Sequence, residues 1–569
     1  MWPLKADRER RVRGLLVSCA ALGVFGCAET ALSPDAMNFV PDAAMSAAAD
    51  AMSAPDAVSA PDALSAPDAA TFADAASDPD AASSPDAAEA RLYELPVDLS
   101  APWSATGTTV PERAVLLAGC RVDVVAQDIA AAITEAAARA GTGFCAVVIP
   151  AGTFTLTNTL DLRTGVVLLG QGSDQTHLEF ALGARVTPLI RAQGGGLDLS
   201  FRGDSLGGAL GDTRFAITAT MAAAIAALNG PLYAEISQEN DPAKFPARWE
   251  QAYAAQGVGQ LSGIRSIGPN YLEMGPLSDH YLPGTGFTKY LLIRTAARMI
   301  ERAGVMDLSI RRNEEAHDQS IFFDLSAGCF VKSVESIDTG WAHVAVDRSL
   351  HCSVSESWFH GAHGHGDGGR AYGVNLRSHT TGCRVEDNIL QDLRHALIIQ
   401  LGVSQNVYGY NFSEDSHDDI GVTKPDISGH GHQAMLNLFE GNDVEYAHVS
   451  DWHGPTPRQV LFKNRIRVLG LHVDDASERI ALIDNIAESV LGVRNALRAD
   501  PSVSRVICVG NKAPDLTPLV ASGRNDCDNT RVYDPRPPSF YRATPLVDTA
   551  TGEVLARIRQ RAGHEVTQP

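Results

Sequence analysis

Residues 385–388 read Val-Glu-Asp-Asn, 408–411 Tyr-Gly-Tyr-Asn, 439–442 Phe-Glu-Gly-Asn and 461–464 Leu-Phe-Lys-Asn, and the pattern continues as Leu482-Ile483-Asp484-Asn485 and Cys508-Val509-Gly510-Asn511. An asparagine therefore recurs at 388, 411, 442, 464, 485 and 511, at intervals of 23, 31, 22, 21 and 26 residues, each time after a short apolar run. Ser357, in Val354-Ser355-Glu356-Ser357-Trp358, holds the same place one repeat earlier. A period in this range with variable insertions belongs to a solenoid in which each repeat adds one coil. Asparagine at a sharp turn tolerates left-handed backbone and bonds local backbone groups. Stacked coils place such residues over one another, so each amide can pair with the next.

Upstream, residues 124–140 read as a helix stopped by Gly141, followed by an apolar strand from Cys145 to Pro150 and the turns Ala151-Gly152-Thr153-Phe154 and Leu169-Gly170-Gln171-Gly172. Together with the asparagine ladder, these stretches resemble the pectin-lyase-like superfamily over roughly residues 115–515. The fold this implies is all-β: a right-handed parallel β-helix (solenoid) of about ten coils, with an N-terminal capping helix and a small inserted β-domain. A helix at that end covers a sheet edge that would otherwise be open to pairing.

Both ends carry other information. Lys5, Arg8, Arg10, Arg11 and Arg13 precede a thirteen-residue apolar run, Gly14 to Gly26, too short to span a bilayer. The run ends in Val24-Phe25-Gly26-Cys27, which resembles a bacterial lipobox, with cleavage before Cys27 and lipidation of its thiol. Ala28, rather than Asp, after the anchor implies outer-membrane or cell-surface display. From 27 to 90 Pro55, Pro61, Pro67, Pro79 and Pro85 fall on a six-residue period, each followed by Asp, with no Lys or Arg. Regular proline and self-repelling Asp with little to bury predict a disordered tether. The expected division is signal 1–26, tether 27–90, cap and first coils 91–196, inserted domain 197–290, main coils 291–515 and tail 516–569.

The net charge is −22, of which −13 falls on residues 91–569. An acidic domain argues against a nucleic-acid partner. The partners expected are an extracellular polysaccharide and the membrane through the lipid anchor only, for a chain acting as a monomer. Cys120/Cys145 and Cys508/Cys527 are spaced as local disulfide candidates, whereas Cys329, Cys352 and Cys383 fall at equivalent strand positions and predict a buried stack.

Registering coils on the asparagines assigns three sheets: the run before Asn is the second, the run after it the third, and the segment before the next Asn-bearing strand the first. In the superfamily the first sheet and its entering loops form the substrate groove. Thirteen of the seventeen histidines lie between 343 and 472, concentrated on the central coils. Arg394, His395, His430, His432, Asp451 and His453 fall on three successive coils, about 5 Å apart per coil, and are the candidate catalytic residues. Arg370 and Trp452 are candidate substrate contacts. A uronate lyase needs a base beside the sugar carboxylate and a cation to hold the developing charge, and in pectate-lyase-like enzymes an Arg and Ca2+ supply them. Arg394 would then be the base, with Ca2+ on Asp418 and Asp419. Asp418-Asp419, Gly429-His430-Gly431 and Arg465-Ile466-Arg467 partly resemble polygalacturonase signatures, but no Asn-Thr-Asp occurs. His with nearby Asp also suits a transition metal. The reading is carbohydrate processing, by elimination or hydrolysis; the alternative is a glycan-binding surface protein without catalysis.

Overall fold

The computed structural model describes residues 99, 101–243, 254–366, 369–449, 453–474, 479–489, 497–499, 506–515 and 519. The lipobox with Cys27, the tether, Asp451, Trp452, Cys527 and almost all of the tail lie outside these residues.

Each repeat contributes three short strands, and each strand pairs in parallel with its counterpart one coil on. Among the described residues the file that opens each coil has twelve members, from Cys120–Asp123 through Val166–Leu169, Arg384–Glu386 and Leu438–Glu440 to Ile507–Val509. This is the expected parallel β-helix. Alternate side chains of every file point inward. Along the first, a single buried column runs from Val147 through Val385, Tyr408 and Phe439 to Cys508. Each large apolar side chain so buried stabilises by ~1.5–3 kcal/mol. Tyr408 fits there because its ring stacks on Phe439 (centroids 4.9 Å apart) and its hydroxyl donates to the Ile398 carbonyl at 3.0 Å.

The asparagines hold one corner. Asn388, Asn411, Asn442, Asn464, Asn485 and Asn511 are buried, and each Nδ2 from 388 to 485 donates to the next Oδ1 at 2.9–3.0 Å. Ser357 continues the line, its N–H donating to Asn388 Oδ1 at 3.1 Å. The left-handed backbone lies elsewhere than expected. It belongs to the residue before each Asn: Asp387, Tyr410, Gly441, Lys463, Asp484 and Gly510 all have φ between 51° and 68°. The turn is made by the preceding residue, which frees the asparagine side chain for stacking. A second ladder, unforeseen, runs up another corner: Asn437 Oδ1 takes the N–H and Nδ2 of Asn406, and Asn406 Oδ1 takes the Cys383 N–H. Cys329, Cys352 and Cys383 are buried free thiols, with the Cys352 N–H directed at the Cys383 sulfur, 3.3 Å away.

The capping helix is Ile129–Ala140, shorter than the expected 124–140. Asp128 accepts from the Ala131 N–H and so sets the start, while left-handed Ala126 and Gln127 exclude helix before it. Its inner face, Ile129, Ala132, Ile133, Ala136 and Ala140, joins the main core. Cys120 and Cys145, partners in adjacent strands, are disulfide-bonded beneath it.

Between Ile190–Gln193 and Gly304 the chain leaves the coil. It forms an antiparallel sheet ordered Val258–Gly263, Leu232–Gln238, Lys289–Thr295, Leu199–Gly203, with its own apolar core. The last strand carries this excursion to Thr295, past residue 290. The insert docks on the corner between the sheet of the candidate groove and the next coil. Buried Arg458 pairs with Asp279 at 3.0 Å, and His379 Nδ1 meets Glu235 at 3.0 Å beside Arg294.

Candidate functional site

The strands that begin at Tyr372, His395 and Ile427 lie side by side in the third file of each coil, the sheet assigned above to substrate. Tyr372 and His395 are register partners, and their rings lie 5.6 Å apart. The turn Gly429-His430-Gly431-His432 brings His430 within 5.7 Å of the His395 ring and 4.9 Å of His453. His432 lies flat on His453 at 5.3 Å, their planes 6° apart. Gly431 makes this approach possible: φ is 83°, and a Cβ there would stand 2.5 Å from the Gly454 carbonyl oxygen. Four of the six candidate catalytic residues thus meet around one point. A fifth, Arg394, precedes His395, and the sixth, Asp451, is outside the described residues.

The imidazoles are neutral around pH 7. His395 Nδ1 sits 2.8 Å from the Pro425 carbonyl, so that nitrogen carries the proton and Nε2 keeps its lone pair. Burial, reinforced by neighbouring Arg394, pushes His395 down to about 3. Burial pushes His453 down to about 4. His430 and His432 are held well below the usual range by burial and then by His453 beside them. Desolvation disfavours each imidazolium, and mutual repulsion adds to it. Four neutral rings next to the Arg394 guanidinium form a site whose net charge favours an anion.

Arg394 donates from Nη1 to the Gly366 carbonyl at 3.3 Å, while its Nε is buried with no acceptor. Its place here is that of a charge holder. Arg370 is turned to Glu315, 2.8 Å away. Asp418 and Asp419 do not gather as an oxygen cage of the kind calcium needs. Asp418 Oδ1 caps the N–H groups of Ile420 and Val422 and Oδ2 pairs with Lys424 at 2.9 Å, whereas Asp419 Oδ1 accepts the His365 N–H at 2.7 Å.

Two groups escaped the sequence reading. Glu445, half-buried where the pairing of Asp443–Val449 slips between Val444 and Tyr446, is pushed up to about 7 by burial and by nearby Asp426. Asp426 is fully buried and accepts from Ser413, Ser416 and the N–H groups of Glu445 and Tyr446, so it serves to tie coils together. Glu445 exchanges a proton near neutral pH, with Asp426, Ser416 and Arg467 as its neighbours. The row also continues further than expected: His448 and His472 are register partners on the next coils, and the Tyr446 hydroxyl meets His472 Nδ1 at 3.2 Å. Their common register with Ser428 was readable from the spacing; the slip that exposes Glu445 was not.

No family model and no curated protein matches this chain. Among solved structures, it is similar to the tailspike protein gp49 from Pseudomonas phage LKA1 (12% identity, 68% of each chain covered, TM-score 0.42). It is also similar to the A-module of the Azotobacter vinelandii mannuronan C-5 epimerase AlgE6 (12% identity, 68% of this chain and 74% of that one, TM-score 0.31). A third is the catalytic domain of a GH87 alpha-1,3-glucanase in complex with nigerose (10% identity, 75% and 70%, TM-score 0.34). At these identities and scores the likenesses say nothing about chemistry.

Proposed function

We propose that this chain binds an acidic extracellular polysaccharide along its third file of strands and cleaves it, held at the cell surface by a lipid on Cys27. The observation that carries the proposal is the meeting of His395, His430, His432 and His453, all neutral, with the guanidinium of Arg394 on the outer face of one sheet. A uronate carboxylate placed at Arg394 has its charge offset there. A neutral imidazole, His395 Nε2 or His430, then takes the proton on the carbon next to that carboxylate. The negative substrate raises the proton affinity of these rings, so binding itself prepares the base. As the carbon–oxygen bond to the neighbouring sugar breaks, the electron pair of the lost C–H forms the ring double bond. Glu445, protonated about half the time near pH 7, supplies the proton the departing oxygen needs. Arg394 thus takes the role of charge stabiliser, and the base passes to histidine. Trp452 and Asp451 enter the proposal from sequence alone, Trp452 as a ring for sugar stacking.

Glycan binding without cleavage is favoured by one observation: aromatic rings gather in two runs along the coils, Tyr372 with His395 and His430, and Tyr446 with His448 and His472. The deciding experiment incubates the chain with acidic and neutral polysaccharides, with and without calcium or chelator. Ultraviolet absorbance from an unsaturated product marks elimination, and new reducing ends without it mark hydrolysis. Arg394→Ala is expected to weaken binding of an acidic glycan at least about tenfold, ~1.4 kcal/mol for a lost charge-assisted contact. Binding without any product, still weakened by that variant, selects the passive function; no binding of any glycan refutes both.

A further inference from the structure

At the corner where the second strand of a coil turns into the third, three side chains from three separate segments point at one another. His365, from the loop after Trp358–Ala362, Asp392, from Ile389–Leu393, and His417, just after Phe412–Ser416, place one ligand-type atom each within 4.8 Å of the others. It is the one such group among the described residues. We propose that this trio is a binding site for a divalent transition-metal ion of the zinc type, separate from the imidazole row and from the calcium expected at Asp418 and Asp419.

Both histidines bring Nε2 to the same carboxylate oxygen, and His365 Nε2 also lies 2.9 Å from the Asp392 carbonyl. The Asp392 Oδ1 distances are 3.1 Å to His365 and 3.0 Å to His417, and the two rings lie stacked with centroids 4.4 Å apart. Metal–nitrogen and metal–oxygen bonds of ~2.0–2.2 Å fit between atoms so placed with shifts of a few tenths of an ångström. His417 is the more telling ring. Its Nδ1 lies 2.8 Å from the Asp418 carbonyl, an oxygen that can only accept. The Nδ1 therefore bears a proton, and Nε2 on the inner side of the ring is left facing the Asp392 carboxylate. A carbonyl holding Nδ1–H while Nε2 faces inward is the arrangement that orients metal-ligating histidines in general.

The neighbouring coils show what this corner does elsewhere. Asp338, Gly361, Asp392 and Asp415 occupy matching positions, all in left-handed backbone, so the conformation of Asp392 belongs to the fold. Asp338 is neutralised by Arg311 at 2.8 Å. At Asp392 two imidazoles stand in place of an arginine. The His365 loop is fixed from outside as well: Asp419 Oδ1 takes the His365 N–H, and Gly366 passes so close that a Cβ there would lie 2.3 Å from Asp419 Oδ2. All three side chains are partly exposed, which leaves solvent to complete the coordination of an ion. Two imidazoles and one carboxylate suit zinc and its neighbours and are poor ligands for calcium.

The test uses the full chain, stripped with chelator, and ZnCl2 followed by isothermal titration, with CoCl2 followed by visible absorbance. No glycan is present, so the outcome is independent of the polysaccharide proposal. One equivalent of Zn2+ is expected to bind, with Co2+ giving visible bands of a nitrogen–oxygen site. His417→Ala and Asp392→Asn should each weaken Zn2+ at least about 100-fold, beyond the roughly 10–100-fold cost of removing a supporting group. His417→Gln, which keeps a polar side chain of similar reach, guards against a folding defect and should show the same loss with unchanged circular dichroism. His280→Ala, at an exposed ring of the insert that accepts from the Leu210 N–H, should bind as the parent does. Absence of a stoichiometric Zn2+ site, or a site lost with His430→Ala or His453→Ala but kept in His417→Gln, overturns the proposal.

Discussion

Asn442→Ala removes the middle rung of the asparagine ladder, and its cost can be worked from the bonds it breaks. Asn442 Oδ1 accepts from the Asn411 N–H at 3.1 Å and from Asn411 Nδ2 at 2.9 Å. Its Nδ2 donates to the Tyr408 carbonyl and to Asn464 Oδ1, both at 2.9 Å. Two of the four partners keep another bond: Asn411 Nδ2 still reaches the Val385 carbonyl, and Asn464 Oδ1 still receives the Asn442 N–H. The Asn411 N–H loses its acceptor altogether, and the Tyr408 carbonyl loses this donor, at a corner with no solvent access. A buried polar group left unpaired costs ~1–3 kcal/mol, and the space vacated by the amide adds to that. The expected loss is about 3–5 kcal/mol, a large share of the ~5–15 kcal/mol typical of a folded domain. Asn442→Asp should cost at least as much, because its carboxylate would face two acceptors and be buried. Asn158→Ala, at an exposed amide bonded to Arg185, should stay within about 0.5 kcal/mol. Equilibrium urea unfolding followed by circular dichroism measures all three. A loss below about 1 kcal/mol for Asn442→Ala would refute the ladder as a stabilising element.

Acid should unfold the protein through its buried histidines. His395 and His343, each pushed down to about 3 by burial, are protonated in the unfolded chain near pH 6.5 but not in the folded one. Their contribution is complete above pH 6.5 and is lost as pH falls from there toward 3, at ~1.4 kcal/mol per pH unit for each ring. His395→Gln, which can still donate to the Pro425 carbonyl, should therefore lose ~2 kcal/mol less than the parent between pH 7.5 and pH 5 in urea titrations; equal losses would show that His395 does not stay neutral in the fold. Replacing Cys27 with Ser should move the protein from the membrane fraction to the soluble one, and unchanged fractionation would end the proposal of a lipid anchor.

The solenoid was legible because its stabilising device is local and repeated. A buried amide at a fixed place in each coil leaves an asparagine at nearly regular spacing, whatever the length of the loops between. The second ladder hid because its residue type changes from Cys383 to Asn406 and Asn437 and then to Gln459, so Asn holds the place for only two coils. The left-handed turn residue hid for the same reason: Asp387, Tyr410 and Lys463 share a backbone conformation and little else. The capping helix was overextended because Ala-rich sequence favours helix, while the Asp128 cap and the two left-handed residues before it set the true start.

For the site, sequence alone determined that histidines and Arg394 crowd one sheet, since strand register follows from repeat spacing. Only the tertiary structure decided what they do there. Burial, which no spacing reveals, strips His395 and His453 of charge and lifts Glu445 to about 7. Loops that depart from the repeat carry His365 and His417 to Asp392 from 27 and 25 residues away. Insert and coil meet through Arg458 and Asp279, 179 residues apart. A periodic backbone writes its pairing into the sequence, but proton affinities and loop contacts depend on desolvation and close approach, which arise only once the coils are stacked.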